Sequence, residues 1–90
     1  MSGYTFRGYY IPERMMGGLT RYVESGIPPA SFLSAVIRND LADAVGYADD
    51  ENMANLPAYV GWLTNEAPAN CWGSEELMEA WINNIAERSA

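Results

Sequence analysis

Apolar residues recur every three or four positions along most of this chain, which is the spacing of one face of an α-helix. The first such run extends from Met15 to Val23 and follows Pro12, a residue that suits the first position of a helix. Gly26 stands just after the run, where a left-handed glycine commonly closes a helix. The pattern therefore predicts a first helix between Pro12 and Gly26.

Three more helical segments follow, and no alternation of apolar and polar residues is long enough to predict a sheet. The second begins near Pro29 and runs to Gly46. The third covers residues 53–63, where Pro57 either kinks the helix or restarts it, and the fourth begins after Ser74, a suitable N-cap. Short connections favour antiparallel neighbours. We therefore predict an all-α fold, a small antiparallel bundle of three to four helices.

Residues 1–10 differ from the rest, because they are rich in tyrosine and phenylalanine and are broken by Gly3 and Gly8. Their composition predicts an extended aromatic N-terminal arm. Residues 11–90 are expected to form a single helical domain, since a chain this short holds one core. The sequence is 49% hydrophobic and 12% aromatic. That apolar supply is large for so small a core, and aromatic residues are favoured at interfaces, so we expect the bundle to oligomerise.

The charge balance narrows the class of partner. Twelve acidic residues against five arginines give a formal net charge of −7. A field of this sign repels a nucleic-acid backbone, so a DNA or RNA polymer is not an expected partner. A small phosphate ligand at one local site is still compatible with the charge, because salt screens fields beyond about 8 Å. The acidity also leaves open a protein that mimics nucleic acid.

The sequence has few residues that could catalyse a reaction or bind a metal. The chain has no histidine to activate a nucleophile, and its one cysteine, Cys71, is expected to be packed in the core. No glycine-rich phosphate loop of Walker or Rossmann spacing is present. We therefore expect no enzyme, no catalytic residues, no metal site and no cofactor. The single cysteine, the absence of a secretion signal and the absence of an apolar run of about 20 residues predict a cytoplasmic protein without a membrane partner.

Three arginines stand seven residues apart, at Arg7, Arg14 and Arg21. Acid clusters stand at 49–51 and 75–76, where they are expected to cap helices. The arginines are either solvated partners of Glu13, Glu24 or these acid clusters, or a strip of planar guanidinium forks that bind phosphate oxygens in pairs. Neighbouring tyrosines can stack on bases, and the start of the second helix offers free backbone N–H groups. On the second interpretation, the ligand-binding residues are Tyr9, Tyr10, Arg14, Arg21, Gly26, Pro28 and Ser31.

Three segments of the chain carry a family resemblance. They are GIPPASFL at 26–33, AVIRNDL at 35–41 leading to Ala48-Asp49, and WLTNEAP at 62–68 leading to CWGS at 71–74. Their order resembles that of small tailed-phage proteins, among them the anti-CBASS proteins, which sponge the cyclic oligonucleotide signals of bacterial immunity. The resemblance covers roughly residues 10–82.

The resemblance implies a compact helical protomer in a symmetric oligomer, a hexamer in the family. Cyclic dinucleotides would be held between protomers, and cyclic trinucleotides at a separate site. The function implied is sequestration of the second messenger without cleavage, which blocks CBASS-type defence in an infected bacterial host. The alternative, from a different class, is an acidic phage protein that inhibits a host protein by direct contact, as a nucleic-acid mimic or in an anti-CRISPR-like way.

The resemblance also implies two kinds of binding residue. An aromatic residue in the region of the first helix would stack on a base, and the candidates are Tyr10 first, then Tyr9 or Tyr22. A basic residue near the first connector would hold phosphate. Because the chain has no lysine and the connector at 26–29 has no basic residue, Arg14 or Arg21 would have to supply that charge.

Overall fold

The computed structural model describes residues 2–89, so the first residue of the predicted arm and the last residue of the predicted domain lie outside the described residues. Within them, two strands precede six α-helices. The elements are β1 (Ser2–Phe6), β2 (Tyr9–Pro12), α1 (Glu13–Ser25), α2 (Ser31–Ile37), α3 (Leu41–Tyr47), α4 (Asp50–Ala54), α5 (Leu56–Asn65), a 3-10 turn (Ala69–Cys71) and α6 (Glu75–Ser89).

The predicted all-α fold is wrong, because β1 and β2 pair as an antiparallel hairpin. Phe6 lies opposite Tyr9, and the turn between them consists of Arg7 and Gly8. Both turn residues have positive φ, 51° and 85°, which is the geometry of the two-residue turns whose twist matches that of the flanking strands. The aromatic segment predicted as an arm is thus extended, but its backbone is paired and it packs on α1 and α5.

The predicted bundle of three to four helices is also wrong. The expected second helix is divided into α2 and α3, because Asn39 has a φ of 61° and Asp40 begins a new helix by accepting a hydrogen bond from the backbone N–H of Asp43 at 3.1 Å. Of the two alternatives for the third helix, a kink or a restart at Pro57, the structure shows the restart, since Asn55 separates α4 from α5 and Pro57 lies in the first turn of α5. The middle of the chain therefore forms four short helices, α2 to α5, where two longer ones were expected.

Two predicted helix ends are confirmed. Gly26 has a φ of 67° and its N–H donates to the carbonyl of Tyr22 at 2.9 Å, which closes α1. Ser74 caps α6, since its hydroxyl accepts a hydrogen bond from the N–H of Leu77 at 3.1 Å. The start of α1 differs by one residue from the prediction, because Pro12 precedes the helix and Glu13 is its first residue.

The core lies between α1, α2, α5 and the turn before α6. Its largest fully buried side chains are Ile11, Leu19, Tyr22, Ile37, Tyr59, Leu63 and Cys71. Phe32 of α2 meets Tyr59 of α5 edge to face, with ring centroids 5.1 Å apart. The indole N–H of Trp81 donates to the carbonyls of Tyr22 and Val23, each at 3.2 Å, and so ties α6 to the last turn of α1. Among residues 2–89, none of the helices is both long enough and apolar enough to cross a bilayer.

Candidate functional site

One concave surface lies along α1 and the connector to α2. This arginine groove has a volume of about 270 Å³ and is lined by Arg14, Met15, Gly18, Arg21, Ile27, Pro28, Pro29, Ala30 and Leu33. Its floor is close-packed, because a methyl group added at Gly18 would lie 2.9 Å from Cδ1 of Leu33. The rigid proline connector thus brings an apolar wall up to the two arginines of α1.

The second concave surface lies on the other side of Arg14, between the hairpin and α4. This tyrosine pocket has a volume of about 680 Å³ and is lined by Thr5, Gly8, Tyr9, Tyr10, Pro12, Glu13, Arg14 and Glu51. Its size falls in the range typical of pockets for small molecules. Arg14 lines both surfaces, so the two adjoin at this residue and form one candidate site.

A hydrogen-bonded set, here called the Arg14 network, joins the hairpin and α1 to α4. Arg14 Nη2 lies 3.0 Å from Asp49 Oδ2 and 3.0 Å from Glu51 Oε1. The Tyr10 hydroxyl donates to Glu51 Oε2 at 2.6 Å, and the Tyr10 N–H donates to Asn55 Oδ1 at 2.9 Å. Both carboxylates are therefore already paired with a cation, and the Tyr10 ring is held in place by its own polar end.

The network shifts the protonation equilibria of its members in the directions expected from their partners. The pKa of Glu51 is lowered by the hydrogen bonds from Tyr10 and Arg14, and the pKa of Asp49 is lowered by the N–H of Asn52 and by Arg14. The same contacts raise the pKa of Tyr10, chiefly through Glu51, and raise the pKa of Arg14. All four groups are therefore in their ordinary charge states near neutral pH, with Arg14 neutralised locally by two carboxylates.

Acid is expected to weaken the attachment of the hairpin. Because the folded-state pKa values of Asp49 and Glu51 lie below their unfolded values, the stabilisation is complete above the ordinary carboxyl range near pH 4 and is lost as pH falls through the lowered values. Thermal melting between pH 6 and pH 2 should therefore show a smaller acid-induced loss in Glu51→Gln than in the wild type. Glu66→Gln, which removes an exposed acid outside the network, should keep the wild-type slope; equal slopes in all three proteins would contradict the assignment.

The remaining predicted residues are distributed unevenly. Tyr9 and Tyr10 line the tyrosine pocket, while Arg21 and Pro28 line the arginine groove. Gly26 is buried against α6, where an added methyl group would lie 3.1 Å from Cβ of Ile85, so its role here is to close the helix. Ser31 is exposed in the first turn of α2 and is not part of either lining.

The arginines also separate into different environments. Arg14 pairs with acids, as the first of the two interpretations predicted, because it contacts Asp49 and Glu51 of the acid cluster at 49–51. Arg7 lies in the hairpin turn with its guanidinium carbon 5.3 Å from the centroid of the Phe6 ring. Arg21 is exposed and, within residues 3–88, forms no salt bridge. Arg21 is therefore the cation of the groove that is available to an anion.

Sequence reasoning missed three residues of the site, Asp49, Glu51 and Asn55. The acidic run at 49–51 was visible and was attributed to helix capping, which is correct for Asp49, whose Oδ1 accepts from the N–H of Asn52 at 2.8 Å. Nothing in the spacing indicated that the same run lies beside α1. That proximity depends on how the hairpin, α1 and α4 pack together, and the hairpin was not predicted.

Cys71 is fully buried, and burial raises the pKa of its thiol, so little thiolate is available for attack on a substrate. The site as a whole offers aromatic faces, guanidinium groups and carboxylates around an open concavity, which is an arrangement suited to non-covalent binding of a small polar ligand. Comparison with protein-family models, with curated proteins and with solved structures finds no match for this chain. The function proposed below therefore depends on the site and on the resemblance described above.

Proposed function

We propose that the protein binds and sequesters cyclic di- or trinucleotide second messengers without cleaving them. It would act as a phage-encoded homo-oligomer in the cytoplasm of the infected bacterial cell and block CBASS-type defence. The observation that carries the proposal is that the arginine groove and the tyrosine pocket adjoin at Arg14. A cyclic oligonucleotide has the two features that such a site recognises, phosphates and flat bases.

Arg21 supports the phosphate part of the proposal. It is exposed, and it lies beside the proline connector in a protein whose overall charge is −7. A long polyanion would be repelled by that overall charge, whereas a compact ligand with two or three phosphates meets mainly the local field of the groove. A guanidinium group binds phosphate in a bidentate manner, which favours arginine over a point charge at this position.

Tyr9 and Tyr10 support the base part. Tyr9 is 40% exposed, and both side chains line the same pocket. Stacking of a base on an aromatic ring contributes about 1–3 kcal/mol by alanine substitution. The hydrogen bond from the Tyr10 hydroxyl to Glu51 fixes that ring before any ligand arrives, which reduces the entropy lost on binding.

A thermal-shift assay with a panel of cyclic di- and trinucleotides tests the proposal. A ligand at 100 times its dissociation constant stabilises a fold by about 2.7 kcal/mol, which raises the melting temperature of a domain of this size by about 10 °C or more. Arg21→Ala should abolish this shift while leaving the unliganded melting temperature close to that of the wild type, because Arg21 is exposed and unpaired within residues 3–88.

Arg88→Ala is the matched control, since it removes an exposed arginine near the end of α6 that lies outside both surfaces. Ligand recovered after denaturation should be chemically intact by chromatography, which separates sequestration from cleavage. Arg14→Ala and Tyr10→Ala are less suitable variants, because both side chains also hold the hairpin to α4. A panel without any thermal shift would exclude the sponge function.

One observation favours the alternative, inhibition of a host protein by direct contact. Exposed apolar side chains concentrate on α3, α4 and α5, where Leu41 is 68% exposed and Tyr47 58% exposed, together with Met53 and Val60. Leu41 and Val60 both line a third, smaller concavity of about 60 Å³, and exposed apolar patches with polar rims are typical of protein-binding sites. Under this alternative, the cyclic nucleotides would have no effect on melting, and the double variant Leu41→Ser/Val60→Ser would abolish inhibition of the host target while leaving the fold intact.

A further inference from the structure

The charges of the tyrosine pocket differ from those of the arginine groove. The ionised groups lining the pocket are Glu13, Arg14 and Glu51, and Arg14 is already held by Glu51 and by the nearby Asp49. The pocket is therefore negative, and a phosphate placed in it would meet carboxylates. If the proposed function is correct, the phosphates lie towards Arg21 and a base enters the tyrosine pocket.

The two glutamates of the pocket are not equivalent. Both oxygens of Glu51 accept hydrogen bonds, one from Arg14 at 3.0 Å and one from the Tyr10 hydroxyl at 2.6 Å. Glu13 forms no salt bridge and no side-chain hydrogen bond among residues 3–88. An ionised carboxylate only accepts hydrogen bonds, so Glu13 contributes two free acceptor oxygens to the pocket that Tyr9 and Tyr10 also line.

The bases differ in how well they satisfy a free carboxylate. Guanine presents two adjacent donors on its Watson–Crick edge, the ring N1–H and the exocyclic amine, and a carboxylate accepts both at once. Adenine presents its exocyclic amine next to an unprotonated ring nitrogen, whose lone pair repels the second carboxylate oxygen. Glu13 is exposed in the free protein, so a base that covers its carboxylate must replace hydrogen bonds to water. Guanine replaces two of them and adenine only one, which makes adenine the poorer ligand.

We propose that Glu13 is a specificity-determining residue that makes the tyrosine pocket select guanine over adenine. This inference rests on the proposed function and adds the class of base to it. Glu13 is also the first residue of α1, where an acid interacts favourably with the helix dipole, so its replacement has a structural effect that the test must separate. Glu75 provides the comparison, because it is likewise the first residue of a helix, α6, and lies outside both surfaces.

Calorimetric titration of the wild-type protein with cyclic di-GMP and cyclic di-AMP, at one salt concentration, measures the selectivity. We expect the guanine ligand to bind about 10-fold more tightly, as for one good bidentate contact. Glu13→Gln should reverse or remove the preference, since a glutamine amide pairs well with the amine and ring nitrogen of adenine. Glu13→Ala should reduce the ratio of affinities to about one, and Glu75→Gln should leave the wild-type ratio unchanged; melting curves confirm that each variant is folded.

The outcomes separate this inference from the proposed function. If both ligands bind the wild type with equal affinity, or if Glu13→Gln and Glu13→Ala keep the wild-type ratio, the role of Glu13 is refuted while sequestration stands. If neither ligand nor any other member of the cyclic nucleotide panel binds, both the proposed function and the role of Glu13 are refuted. A change of ratio in Glu75→Gln equal to that in Glu13→Gln would assign the effect to loss of acidic charge in general and would also refute the inference.

Discussion

Gly61→Ala is expected to destabilise the protein by about 1–3 kcal/mol, although alanine is normally the better residue in a helix. Gly61 is buried in α5, where the ring of Phe6 lies directly against it. A methyl group at this position would lie 2.6 Å from Cγ and 2.7 Å from Cδ1 of that ring. Because Cγ lies on the χ2 axis, rotating the ring about χ2 does not relieve the overlap. Either Phe6 leaves its χ1 rotamer, which removes its packing on α5, or the hairpin moves away from the helix.

Gly46→Ala is the matched control, because a methyl group at Gly46 of α3 meets no other group within 4 Å. It should stabilise the protein by about 0.5–1 kcal/mol through the higher helix propensity of alanine. Opposite shifts of the melting temperature, at about 4–8 °C per kcal/mol for a domain of this size, are therefore expected for the two variants. A Gly61→Ala protein as stable as Gly46→Ala would show that the hairpin is not seated on α5 as described.

The hairpin also shows where sequence reasoning fails for this chain. Aromatic and β-branched residues stand on both sides of Arg7 and Gly8, from Tyr4 to Ile11, which is a strand signal with a glycine in the turn. The signal is weak, because the commonest turn pairs have asparagine or aspartate before the glycine, and arginine rarely takes a positive φ. The strands are also short, and they are stabilised by packing on α1 and α5, which local patterns do not reveal.

The end of α1 at Gly26 and the start of α6 after Ser74 were predicted correctly, whereas the break inside the second predicted helix was not. The apolar stripe from Phe32 to Val45 continues across α2 and α3, so its periodicity indicated one helix. The break depends on Asn39, one of the few residue types that adopts the left-handed conformation at low cost, and on capping by Asp40. An Asn-Asp pair inside an apolar stripe is thus evidence for a helix break, and a prediction from periodicity alone misses that break.

The candidate site was predicted only in part, because local geometry positions some of its residues and tertiary packing positions the others. Arg14 and Arg21 are two helical turns apart, and the connector that follows α1 folds back beside them, so local geometry brings Pro28 to the groove. The pairing of Arg14 with Asp49 and Glu51 spans 35 and 37 residues. Contacts of that range depend on tertiary packing, and no spacing in the sequence encodes them.

The tie between α1 and the turn before α6 depends on one buried tyrosine. Tyr22 is fully buried, and its hydroxyl donates to the carbonyl of Cys71 at 2.7 Å. Its own carbonyl accepts from the N–H of Gly26 at 2.9 Å and from the indole N–H of Trp81 at 3.2 Å. The side chain therefore fills the core and also satisfies a backbone carbonyl of a segment that has little regular structure of its own.

Tyr22→Phe keeps the ring but removes the hydroxyl, and we expect it to cost about 1–3 kcal/mol, because the buried carbonyl of Cys71 loses its hydrogen-bond donor. Urea unfolding should show a lower midpoint at an unchanged slope, as for a loss of stability without a change in the surface exposed on unfolding. Tyr47→Phe is the matched control, since Tyr47 is 58% exposed and its hydroxyl has no hydrogen-bond partner among residues 3–88, and it should change stability by less than about 0.5 kcal/mol. If the two variants unfold at the same urea concentration, the hydroxyl of Tyr22 does not hold α1 to the Cys71 segment, and ring packing alone stabilises this part of the core.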